Sequence, residues 1–275
     1  MSKATTLFIV EGDKTEKDYV YHISKHFLKN KQNYRFITLP AEQNIYMLWK
    51  QLREDNFDTD IVEILRDTVD LARDELEGID RDSIDQIFMF FDLDWHQNNL
   101  HDDSKQYAIL DEMLSTFDNE TDQGKLYISY PMAEALRDFV NGECQPFTGC
   151  LVKKDDCRYY KENSGTNNQN ANVSAYTFAD WEALLTAFVL RIKCLFNNEQ
   201  LDRKQFIKEV NSKTIFQKQR EKYLVNDEIF VLSAFPHFLL EYNKESFWHS
   251  NIQQQKYKFN TCIKHKQRSF KSKKH

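Results

Sequence analysis

Two apolar runs in this chain each close on acid. Thr6-Leu7-Phe8-Ile9-Val10 is followed by Glu11-Gly12, and Ile87-Phe88-Met89-Phe90-Phe91 is followed by Asp92-Leu93-Asp94. Unbroken apolar runs of this length, bounded by polar residues, predict buried strands of a parallel sheet. The carboxyl ends of such strands form the crevice where ligands bind. Three carboxylates gathered at two strand ends would repel one another unless a cation sat among them. Oxygen donors with no neighbouring His/Cys cluster favour Mg²⁺ or Mn²⁺ over zinc. The chemistry this pattern predicts is a Mg²⁺ (or Mn²⁺) site that handles phosphate.

The elements needed to hold those acids can be read in order. After Glu11-Gly12, the positions Tyr19, Val20, Ile23, Phe27 and Leu28 share one helical face, with Asp13 or Thr15 as the expected cap. Tyr34 to Leu39 predicts a second strand and Gln43 to Arg53 a helix. A longer helix is expected from Asp60 to Glu77, stopped by Gly78. The strand Gln86–Phe91 follows, then a polar loop, a helix around Tyr107–Phe117, a strand over Lys125–Tyr130 and a helix over Met132–Val140. This alternation predicts an α/β fold with a parallel four-stranded sheet flanked by helices, spanning residues 1–145. Residues 146–275 change character. A polar stretch from Asn163 to Ser174 precedes helical patterns at Phe178–Phe196, Arg203–Val210 and Phe230–Tyr242. A mainly helical C-terminal subdomain with a basic tail is expected there.

Composition narrows the classes. With 275 residues, 41% hydrophobic, and only 6 Gly and 4 Pro, the chain has ample core and too few turn residues for an all-β protein. No stretch reaches the roughly 18 apolar residues that span a bilayer. The early charged segment Glu11-Gly12-Asp13-Lys14 leaves no room for a secretory leader, so a cytoplasmic location away from membranes is expected. The five cysteines include no Cys-x-x-Cys pair, and Cys144, Cys150 and Cys157 are spaced more widely than common zinc ribbons. Small buried thiols are the expectation. The net charge of −6 is uneven: residues 256–275 hold eight Lys or Arg and no acid, so this tail carries +8 and the residues before it −14. A basic tail on an acidic body suggests a polyanion partner, and Lys264, Lys266 and Arg268 are candidate contacts. The plainer reading is a solvated terminus.

A strand followed by Glu-Gly, then a hydrophobic strand ending in Asp-x-Asp, in this order, resembles the Toprim domain. The residues that carry the resemblance are Glu11, Asp92 and Asp94, over about residues 4–140. The opening Glu11-Gly12-Asp13-Lys14-Thr15-Glu16-Lys17-Asp18-Tyr19 looks like that of stand-alone RloB-like proteins, and Ser129-Tyr130-Pro131-Met132-Ala133-Glu134 resembles their Ser-x-Pro…Glu segment. The overcoming-lysogenization-defect nucleases and the Toprim effectors of phage-defence systems belong to the same family. The resemblance implies metal-assisted phosphodiester hydrolysis of RNA (tRNA included) or DNA, in a defence effector paired with an ATPase. Glu11 would be general base or ligand, Asp92 and Asp94 would hold one or two Mg²⁺ ions, and Glu134 would be an extra ligand. Lys14, Lys153 and Lys154 are candidate phosphate contacts, and a homo-oligomer is compatible with all of this.

Other readings of the same residues stand beside this one. Glu11 alone could serve as a helix-terminal acid. Asp-x-Asp after an apolar strand also occurs in haloacid-dehalogenase-like phosphatases, but His96 stands where their Thr or Val is expected. A non-catalytic, Toprim-like module that binds nucleic acid or a partner protein is the alternative from a different class. Phe235, Phe238, Tyr242, Phe247 and Trp248 are expected in a core rather than on a base-stacking platform.

Overall fold

The computed structural model describes residues 4–12, 14–28, 33–40, 44–93, 103–138, 150–164 and 172–242. The chain divides into two compact units, Met1–Asp92 with Asn99–Ile128, and Leu93–Asn98 with Ser129–His275. The expected boundary at 145 lies outside the described residues. No described helix is long and apolar enough to cross a membrane.

The first unit is α/β, with a mostly parallel five-stranded sheet flanked by helices. Its elements run β1 (Thr5–Val10), α1 (Thr15–Phe27), β2 (Asn33–Thr38), α2 (Ile45–Glu54), α3 (Ile61–Thr68), α4 (Asp70–Glu75), β3 (Ile84–Asp92), α5 (Asp103–Thr116), β4 (Asp118–Asn119) and β5 (Gly124–Ser129). The strand order is β2-β1-β3-β5-β4. β1 pairs in parallel with β2 and with β3, in a register that sets Val10 opposite both Thr38 and Phe90. All six residues of β1 are buried, as a central strand covered on both faces requires. Phe8 stacks on Phe36 and Phe88, and Phe90 stacks on Tyr127, so aromatic rings from neighbouring strands build one layer of the core. The short β4 closes the edge antiparallel to β5. Gly124 opens β5 at φ +103°, where a Cβ would stand 2.8 Å from the Met89 side chain; only glycine meets both demands.

The long helix expected from Asp60 to Glu77 is instead two helices. Val69 is extended (φ −122°, ψ 107°) and only 1% exposed. Thr68 and Val69 form a β-branched pair, and the break turns the Val69 side chain into the core while Thr68 Oγ1 donates back to the Ile64 carbonyl.

The second unit contains β6 (Leu151–Lys153), α6 (Tyr160–Asn163), α7 (Phe178–Phe196), α8 (Arg203–Glu209), α9 (Ser212–Lys222), β7 (Glu228–Phe230) and α10 (Ala234–Tyr242). Helix α7 matches its expected span, and a capping box between Thr177 and Asp180 fixes its start. The expected helix over Phe230–Tyr242 begins only at Ala234, because β7 pairs antiparallel with β6. Gln219, fully buried on α9, acts as a third strand edge: Phe230 N–H donates to its Oε1 at 3.0 Å and its Nε2 donates to the Phe230 carbonyl. Met132–Val140, expected as α-helix, forms 3₁₀ turns over Ala133–Asp138. Trp181, Phe235 and Phe238 are core side chains, while Phe247 and Trp248 lie outside the described residues.

Candidate functional site

The strand order makes a topological switch at β1 and β3. The connection from β1 runs to β2 on one side, and the chain after β3 runs through α5 and the edge strand β4 to β5 on the other. A crevice opens at the carboxyl ends of adjacent strands whose connections diverge in this way. Glu11 is the first residue beyond β1, and Asp92 is the last residue of β3. The two meet. Asp92 N–H donates to Glu11 Oε2 at 3.4 Å, a long bond, and Ile45 N–H donates to Glu11 Oε1 at 3.0 Å. Ile45 is the first residue of α2, whose cap is completed by Asn44 accepting from Met47 N–H. Glu11 therefore ties together the ends of two strands and the start of a helix, with its charge opposite that helix's positive end.

Gly12 and Glu16 pack together just beyond this strand end. Glu16 is 8% exposed, and its carboxylate lies so close over Gly12 that an added Cβ would stand 2.0 Å from Glu16 Oε2. Any larger residue at 12 would expel this carboxylate. From the sequence, Glu16 is assigned no role. Its signal was the spacing: a glycine followed by an acid in the first turn of the next helix.

Asp94, expected as the third acid, lies outside the described residues, as does His96. Among the described residues, no three His, Cys, Asp or Glu side chains stand close enough together to hold a metal ion. Glu11 and Asp92 bring two acidic residues to adjacent strand ends, in contact through the Asp92 backbone N–H, and oxygen donors of this type suit a hard cation. Each Glu11 oxygen accepts one backbone N–H.

No family model, curated protein or solved structure matches this chain.

The other expected contacts have settings of their own. Glu134, in the second unit, is buried with its side chain 3% exposed, and Lys161 Nζ (3.5 Å) and Arg137 Nη2 (4.0 Å) face its Oε1. Beside it Tyr160 donates to Asp138 Oδ2, and Arg191 donates to the carbonyls of Asp138 (2.6 Å) and Val231 (2.7 Å). Burial raises the Asp138 carboxyl above its ordinary range, opposed by the Tyr160 hydrogen bond. Burial, then the Asp138 charge, holds the Tyr160 phenol well above its usual range. Lys14 is exposed just before α1, and Lys153 is exposed at the end of β6. Lys154 is buried and pairs with Asp227 at 3.2 Å, so its charge is already answered within the fold. Lys264, Lys266 and Arg268 lie outside the described residues. Cys150, Cys157 and Cys194 are buried and not in disulfides.

Proposed function

We propose that the chain is a Mg²⁺- or Mn²⁺-dependent nuclease of the Toprim type, with its centre at the carboxyl ends of β1 and β3. The observation that carries this reading is the bond from the Asp92 backbone N–H to the Glu11 carboxylate, which brings these two acidic residues together at the switch point of a mostly parallel sheet. The run β2-β1-β3-β5 is read as the Toprim-like four-stranded sheet, with β4 as an edge addition. Glu11, its two oxygens oriented by backbone N–H groups, is placed to accept a proton from an attacking water or to serve as a ligand. Asp92, with Asp94, supplies further carboxylate oxygens. A bound divalent cation would neutralise charge on the scissile phosphate and the leaving oxygen. RNA (tRNA included) or DNA is the substrate class, and an anti-phage effector acting with a separate ATPase is the setting.

The test is cleavage of tRNA and of plasmid DNA with Mg²⁺ or Mn²⁺ by the wild type and by Glu11→Ala. Wild-type cleavage that the variant lacks is expected. Equal cleavage by both would remove Glu11 from the chemistry.

One observation favours a second reading. Both Glu11 oxygens already accept backbone N–H bonds, which suits an acid kept only to staple β1, β3 and α2 together. On that reading the chain is a non-catalytic module that binds nucleic acid or a partner protein, and neither Mg²⁺ nor Mn²⁺ produces heat on titration.

A further inference from the structure

Helix α1 carries two histidines one turn apart, His22 and His26, with Ile23, Ser24 and Lys25 between them. A spacing of four residues sets two side chains on the same helical face, about 6 Å apart along the axis. Tyr19, Val20 and Ile23 turn into the core and bring His22 with them to 8% exposure, while His26 is partly exposed. The two imidazoles are neighbours: their ring centroids lie 4.3 Å apart, with the planes tilted by 30°.

Histidines at i and i+4 on one helix face are the pair that helical zinc sites use. A tetrahedral ion held about 2.0–2.1 Å from each nitrogen needs the two nitrogens about 3.3 Å apart. Rings whose centres are 4.3 Å apart meet that spacing with small turns about their Cβ–Cγ bonds. Burial, then the neighbouring His26 ring and the Lys25 charge, holds His22 below its ordinary value, so at neutral pH it is the neutral imidazole that ligates metals. His26 lies in the last turn of α1, toward the negative end of the helix dipole, which favours a bound cation. Lys25 opposes it, but is exposed and screened by water and salt. Among the described residues no third His, Cys, Asp or Glu stands close enough to join the pair, so water would complete the coordination. Imidazole nitrogens select late transition ions over Mg²⁺, which prefers oxygen. Ile23 occupies the place where helical zinc proteases carry their catalytic glutamate, so the chemistry here is binding rather than hydrolysis.

We propose that His22 and His26 form a two-histidine site for a divalent late transition ion, Ni²⁺, Cu²⁺ or Zn²⁺. The ion bridges consecutive turns and clamps the C-terminal half of α1. Glu16, beside the acidic strand ends, stands six residues before His22 on the same helix, about 9 Å along its axis. The site is therefore separate from those strand ends and does not rest on the nuclease reading.

The test is calorimetric titration of Ni²⁺ into the full chain, with and without excess Mg²⁺. One saturable ion per chain at this pair is expected, indifferent to Mg²⁺. His26→Gln and His22→Gln should each weaken it at least about tenfold, because each removes one of two ligands. Lys25→Gln should tighten it about twofold, because it removes a repelling charge. Ni²⁺ should raise the melting temperature of the wild type by a few degrees and leave that of His26→Gln unchanged. Circular dichroism confirms that each variant folds. Carbethoxylation of the wild type, mapped by mass spectrometry, needs no variant: Ni²⁺ should protect His26 at the concentration that saturates the calorimetric site. No saturable binding by the wild type, unchanged affinity in a folded His26→Gln, or an unprotected His26 would overturn the proposal. So would displacement of Ni²⁺ by Mg²⁺, which would place the ion among carboxylates instead.

Discussion

Glu11 and Glu134 are both acids that the Toprim resemblance assigns to metal, yet the fold treats them in opposite ways. Glu11 is half-buried and its oxygens accept backbone N–H bonds from Ile45 and Asp92. Peptide dipoles orient such a carboxylate without cancelling its charge. Glu134 is almost fully buried, and two cationic side chains, Lys161 and Arg137, face it. Its charge is met inside the second unit. On the proposed reading, the difference teaches that an acid kept for work is held by dipoles, and an acid kept for structure is held by counter-charges. Glu11 is held in the first way and Glu134 in the second.

The largest effect that sharpens this contrast is at Asp92. Asp92→Asn keeps the backbone N–H that donates to Glu11 and removes only the charge. Cleavage is expected to fall about a thousandfold, some 4 kcal/mol of barrier, while the melting temperature stays within a few degrees. Parallel kinetics and thermal melts check this; a large loss of melting temperature would put Asp92 with the structural acids. Next comes Glu134→Ala, which strands Arg137 beside a buried hole. It should cost about 3 kcal/mol of stability, measured by denaturant titration, because breaking a buried ion pair leaves a charge uncompensated. Any cleavage that remains should still require Glu11. Glu11→Ala, by contrast, should cost only about 1 kcal/mol of stability, the worth of one helix-terminal acceptor, in the same titration.

The smallest effect is a pH dependence at Asp138. Its folded value is raised, so the folded state holds a proton that the unfolded state releases near 3.8. The associated stability is complete below that value and is lost as pH rises through the folded value. Asp138→Asn, which can still accept from Tyr160, should therefore raise the melting temperature at neutral pH and leave it unchanged at pH 3. A variant that is equally destabilised at both pH values would show that the Tyr160 bond, not desolvation, dominates there.

The part of the site legible in sequence was the part written in contiguous runs. Thr6–Val10 and Ile87–Phe91 read as strands because their side chains are apolar on both faces, and the acids at their ends then had to lie at one edge of a sheet. The order β2-β1-β3-β5-β4 was not legible, since it depends on the side to which each connection crosses. Nor was the bond from Ile45 to Glu11, which joins residues 34 positions apart. The surroundings of Glu134 were hidden for the same reason, because Lys161 arrives from another element. Two local misreadings had local causes. Val69 left the helix to bury a β-branched side chain, and Phe230 became a strand because Gln219 bonds both of its backbone groups.

Titration calorimetry of Mn²⁺ into the wild type and into Glu11→Gln with Asp92→Asn tests the central claim most directly. The paired amide variant keeps size and shape but removes both charges. The account predicts saturable binding by the wild type and its loss, by at least about a hundredfold in affinity, in the variant. Equal binding by the two proteins, or no binding by either, would contradict it.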